Sequence, residues 1–115
     1  MSKSFNDITK HVSSNMVKLH KIIPETSKAF SQLSAAATTD GVLDKKTKEL
    51  IALALAVGAR CDACIGFHTK ALVRLGATEQ EVAETLGVCV AMGGGPSMMY
   101  AAEAIASFNE FSKES

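Results

Sequence analysis

Tryptophan is absent, tyrosine occurs once and phenylalanine five times. So few aromatic faces exclude a stacking platform for single-stranded nucleic acid. An excess of either charge is missing as well. Twelve Lys and Arg residues balance twelve Asp and Glu residues, and no basic cluster with interleaved aromatics occurs. Such a balance offers nothing to a polyanion, so nucleic acid is not an expected partner. Long apolar runs are lacking too. The longest, Leu50 to Ala59, is about half of the ~20 residues that a membrane span needs. Met1 to Lys10 is too polar for the apolar stretch of a signal peptide. The chain therefore reads as soluble and cytoplasmic, with no membrane partner. Its three cysteines are too few and too unevenly spaced for a secreted disulfide framework.

What is present describes a helical protein. Hydrophobic residues make up 47% of the 115 positions and charged residues 21%, a composition that folds as one domain over residues 1–115. Strict period-two alternation is absent, alanine is frequent, and only Pro24 and Pro96 interrupt the chain. About six helices are expected. The first runs over Asn6–Ile23, with Ile8, Val12, Met16, Leu19 and Ile23 on one face. Pro24 opens a second, to about Ala36. Asp44 caps a third, Lys45–Val57, whose run from Leu50 is apolar on every side and therefore predicts a central, buried helix ended or bent by Gly58. The fourth starts at Cys61 or Asp62 and ends at Leu75, before Gly76. Thr78 and Glu81 form a capping box for a fifth, to about Met92. Gly93–Gly95 reads as a tight interhelical turn, and Pro96 opens a sixth helix to about Phe111, with Ser112–Ser115 expected to fray. The last helix carries Met98, Met99, Ala101, Ala102, Ile105, Ala106 and Phe108. That arc is wide for a helix on one small domain and predicts a subunit interface, the alternative being a fully internal helix.

The chemistry concentrates in Glu49, Cys61, Cys64 and His68. Cys61, Cys64 and His68 are spaced i, i+3, i+7 and share one helix face. Cys61 lies at the helix N-terminus, where free N–H groups and the dipole favour a thiolate. Cys64 lies four residues before His68, whose imidazole can take its proton. The first argument favours Cys61 as the reactive sulfur and the second favours Cys64. Two cysteines so placed can also close a disulfide. Glu49 sits in the otherwise apolar third helix, where a carboxylate is costly unless it faces a partner or a wet cavity. Packed as an antiparallel hairpin, the third and fourth helices would let it approach His68 for general acid or base work. A Cys₃His zinc site completed by Cys89 is the competing use of these residues, but Cys89 reads as a core cysteine. His11 and His20 read as surface residues.

The spacing E-x₁₁-C-x₂-C-x₃-H, formed by Glu49, Cys61, Cys64 and His68, resembles the AhpD-like alkylhydroperoxidases of the carboxymuconolactone decarboxylase superfamily. The flanks LIALALAVGARC and HTKALVRLGATEQEVAETLGV are similar too, so the resemblance covers about residues 43–108. It implies an all-α, AhpD-like helical bundle that assembles as a homo-oligomer, often a trimer of dimers. It also implies thiol-dependent reduction of small hydroperoxides. Cys64 would be the peroxidatic cysteine and Cys61 the resolving one, with Glu49 and His68 as proton relay. No metal, haem or flavin cofactor is implied; electrons come from an external dithiol, a thioredoxin-like or lipoyl reductant. One departure stands out. The family's best-studied members have a histidine just before the second cysteine, where this chain has Asp62 and Ala63. That shortens the relay and places an acid beside Cys61. The apolar neighbours Leu50, Ile51, Ile65, Phe67 and Met92 suggest an organic hydroperoxide. The alternatives are a non-catalytic redox sensor or general thiol–disulfide exchange protein, and a lyase of the decarboxylase branch, which would need no dithiol.

Overall fold

The computed structural model describes residues 3–115, so Met1 and Ser2 of the expected domain lie outside the described residues. It is all-α: α1 Phe5–Ile22, α2 Pro24–Thr38, α3 Lys45–Gly58, α4 Asp62–Arg74, α5 Glu79–Gly93 and α6 Gly95–Glu114. Local chemistry starts most of these helices. The Ser4 hydroxyl accepts from Asp7 N–H at α1, and the Asp44 carboxylate accepts from Thr47 N–H at α3. At α5 the Thr78–Glu81 capping box is complete in both directions. Pro24 stands at the start of α2, where its missing N–H costs nothing.

One hydrophobic core joins α1, α3, α4, α5 and α6. Its fully buried members include Phe5, Leu53, Val57, Ile65, Leu72 and Val82, with Phe108 and Phe111 almost as enclosed. Each such side chain contributes roughly 1.5–3 kcal/mol of transfer free energy. α4 is the centre of this arrangement, packing on α1, α3 and α6. A buried polar pair links it to α6: the Thr69 and Ser107 hydroxyls meet at 2.6 Å.

Two expectations need correction. The third helix is not buried all round. It packs through Glu49, Leu53, Ala56 and Val57, while Ile51 and Leu55, one turn apart on the opposite face, are 46% and 68% exposed. The helix ends at Gly58, but the left-handed turn residue is Arg60, with φ +58°, and not the glycine. The final helix does not take the alternative of full burial: Ser97, Ala101, Ala104, Phe108 and Phe111 face the core, but Met98 and Met99 do not. It also continues past Phe111 to Glu114 because Phe111 is buried and Ser112 donates its hydroxyl to the Phe108 carbonyl.

α1 and α2 form an arm. Only the first half of α1 reaches the core, through Phe5 and Thr9, so Met16, Leu19 and Ile23 of its apolar face are exposed. α2 has no buried residue and, among the described residues, packs only on α1 and α3.

Candidate active site

The turn from α3 to α4 places the cysteines. Arg60 N–H donates to the Val57 carbonyl and Cys61 N–H to the Ala56 carbonyl, both at 3.1 Å. This pairing, with the left-handed residue between, is a Schellman motif that satisfies the free carbonyls ending α3. Cys61 is thereby fixed as the residue that caps α4, and its Sγ accepts from Cys64 N–H at 3.2 Å. Cys61 and Cys64 form a disulfide across a Cα–Cα distance of 5.2 Å. Both residues are half-buried.

Glu49 comes from the buried face of α3 and is 6% exposed. Its Oε2 lies 2.6 Å from His68 Nδ1, and the His68 side chain keeps 31% of its accessible area. An ionised carboxylate only accepts, so with Glu49 ionised Nδ1 carries the hydrogen and Nε2 is the nitrogen free to exchange a proton. Cys64 and His68 are one helical turn apart on α4, so a thiol at Cys64 and the imidazole are neighbours on that face. The four residues picked from the sequence thus come together on two adjoining helices.

Asp62, between the cysteines, opens α4. Its Oδ2 is paired with Lys3 Nζ at 3.0 Å, and the same ammonium lies 5.7 Å from the centre of the Tyr100 ring. The hydrogen bond to Asp62 raises the Lys3 pKa above the ordinary lysine value. Asp62 Oδ1 is buried and has no hydrogen-bond partner among the described residues. The N-terminal end of α1 is anchored by Glu110 on α6, which accepts from Phe5 N–H, Asn6 N–H and the Ser4 hydroxyl at 2.9–3.0 Å. Burial opposes ionisation of Glu110, but these hydrogen bonds outweigh it and hold the carboxyl below the usual range.

Lys3 and Glu110 were not legible as parts of this region. Each acts on a residue far away in the chain, and neither stands in a local pattern. Cys89 is elsewhere: its thiol points at the Ala54 and Thr85 carbonyls, and burial pushes its pKa up. Among the described residues no three His, Cys, Asp or Glu side chains converge in the way a metal ion requires. The apolar lining expected around the cysteines is also only partial, since Ile65 is fully buried but Ile51 and Met92 are largely exposed. A groove of about 620 Å³ runs between α1 and α2 and contains none of Glu49, Cys61, Cys64 and His68. No helix among the described residues is long and apolar enough to cross a membrane.

Known proteins agree with this geometry. A carboxymuconolactone decarboxylase family protein from Legionella pneumophila, in its apo crystal structure, is 58% identical and superimposes with a TM-score of 0.92, covering 94% of this chain and 96% of that one. A Thermotoga maritima family member, for which involvement in antioxidative response has been suggested, is 32% identical with a TM-score of 0.72 over 77% of this chain and 92% of its own. An uncharacterized protein of the cox locus of Paracoccus denitrificans is 37% identical over 84% of this chain and 93% of its own length. The profile of the Carboxymuconolactone decarboxylase family matches residues 24–107. The chain belongs to the carboxymuconolactone decarboxylase family and is AhpD-like in its motif and helical fold.

Proposed function

We propose that this protein is a thiol-dependent hydroperoxide reductase that works through a Cys61–Cys64 dithiol/disulfide cycle. The observation that carries the reading is the disulfide capping α4, one helical turn from an imidazole held by a buried carboxylate. The antioxidative role suggested for the Thermotoga maritima relative supports the same chemistry.

In the first step the Cys64 thiolate attacks the terminal peroxide oxygen. The O–O bond breaks, sulfur is oxidised by two electrons to a sulfenic acid, and the alkoxide takes a proton through His68 and leaves as alcohol. Glu49 holds the imidazole and balances its charge while it is protonated. The Cys61 thiol then attacks the sulfenic sulfur, and water leaves as the disulfide forms. An external dithiol, thioredoxin-like or lipoyl, reduces the disulfide by exchange through a mixed disulfide. Sulfur carries the electrons throughout, so the cycle calls for no bound metal, haem or flavin. Such a donor is found in a reducing compartment, so the reading is that of a cytoplasmic protein. The exposed apolar rows Met16, Leu19, Ile22 and Phe30 on the arm and Met98 and Met99 on α6 fit a homo-oligomer, a trimer of dimers in this reading.

The test is peroxide consumption by the reduced protein with a dithiol supplied, in wild type and in Cys64→Ser. Turnover lost in the variant, with the Cys61–Cys64 disulfide accumulating in the wild type, is the expected result. Wild-type turnover no faster than the variant's overturns the peroxidase. A disulfide that still opens and closes would then mark a thiol–disulfide exchange protein or a sensor.

A further inference from the structure

We propose that Lys3 is a positioning residue for the cysteine pair: by neutralising the Asp62 carboxylate it keeps the first turn of α4 favourable to a thiolate. The problem it solves is visible in the sequence. A helix N-terminus favours anions, yet a carboxylate directly after Cys61 competes with a thiolate for that field. Asp62 Oδ1 is shut away from water without a partner, while the side chain as a whole keeps 36% of its accessible area, so solvent screens its charge only in part. The other oxygen, Oδ2, is where compensation is possible, and the Lys3 ammonium occupies it at 3.0 Å.

Lys3 is held there from several sides. Its ammonium lies over the Tyr100 ring of α6, and Glu103 of α6 adds to the field that keeps it charged. The residues just after it are fastened to Glu110 by three hydrogen bonds, so the start of α1 is fixed relative to the core. The other charged groups around the turn are Arg60, which precedes Cys61, and the Glu49–His68 pair. Lys3 is thus the cation bound to the acid that lies between the two sulfurs.

The inference rests on the redox reading only in requiring that the disulfide opens and closes; it needs no peroxide. Removing the cation disfavours the thiolate and so makes the disulfide harder to reduce. The test uses the whole protein in low-salt buffer. The midpoint potential is titrated against a dithiol couple, and the rate of alkylation by iodoacetamide is measured near neutral pH. Lys3→Met should slow alkylation by about two- to fivefold, the range of a partly exposed ion pair. In a titration above the thiol pKa, where the sulfur is ionised, the same factor lowers the potential by about 10–20 mV. Lys3→Arg should restore wild-type values. Asp62→Asn added to Lys3→Met should return both readings towards wild type, and about 1 M salt should shrink the difference. A purely structural role for Lys3 would not be cancelled by removing Asp62. Lys3→Met indistinguishable from wild type in both readings, or a defect that Asp62→Asn leaves in place, overturns this proposal alone. A wild-type disulfide that cannot be titrated overturns it together with the redox cycle.

Discussion

Glu49 on α3 and His68 on α4 meet at 2.6 Å, a buried carboxylate against an imidazole that is still open to solvent. The contact joins the hidden face of one helix to the reactive face of the next. Glu49→Gln keeps the shape but removes the charge that supports a protonated imidazole. It should lower peroxide turnover by about 100-fold, the lower end of the range of general acid–base assistance. His68→Ala leaves the carboxylate buried without its partner and should cost about 1–3 kcal/mol in a urea melt. The double variant should recover part of that loss, a coupling that independent roles would not produce.

Cys61→Ser separates the two sulfurs by role. The variant should consume about one peroxide per chain and stop, leaving a sulfenic acid on Cys64 that dimedone labels. Mass spectrometry locates the label. Labelling of Cys61 in Cys64→Ser, with none on Cys64 in Cys61→Ser, would reverse the assignment.

Glu110 gives a pH dependence with a definite sign. Its folded pKa lies below the unfolded value, about 4.3 for a glutamate. Its contribution to stability is therefore complete above that value and is lost as pH falls through the folded pKa. Between about pH 5 and pH 3 the wild type should lose stability faster than Glu110→Gln, measured as the difference between their denaturation midpoints. Amide exchange at Phe5 and Asn6 should be faster in the variant at neutral pH. Equal acid limbs for the two proteins would remove Glu110 as the anchor of α1.

Gly66 on α4 faces α1 with no room for a side chain. A Cβ there would stand 2.6 Å from Thr9 Cγ2, while its next neighbours on Phe5 are at ordinary distances of 3.6 and 3.7 Å. Gly66→Ala should destabilise by about 1–3 kcal/mol through overpacking. Thr9→Ser removes the offending methyl and keeps the hydroxyl that donates to the Phe5 carbonyl. The pair of substitutions should therefore be more stable than Gly66→Ala alone, as read by thermal melting.

Local signals were the legible part of this protein. Asp44, Pro24 and the Thr78–Glu81 box start their helices through contacts a few residues long, and the helices begin where they say. The motif was legible for the same reason: Cys61 caps α4, Cys64 and His68 lie on it, and Glu49 lies on the adjoining α3. Turn geometry was less so. Gly58 is the residue expected to end α3, yet the Schellman hydrogen bonds put the left-handed position on Arg60. Links across the chain were hidden altogether. Lys3 and Asp62 are 59 residues apart, and Phe5 and Glu110 are 105 apart, so only the folded packing of α1 on α4 and α6 reveals them. Apolar composition also could not tell the core-facing side of α3 from the side carrying Ile51 and Leu55.

The arm has a thermodynamic consequence. α2 contributes 15 residues and buries none of them. A helix of that length is marginal alone in water. Its order must then be linked to whatever meets its outer face, and if that is another copy, the amount of protein becomes a variable of folding. The melting temperature should rise with protein concentration, and the arm should be the first part to yield to a protease on dilution.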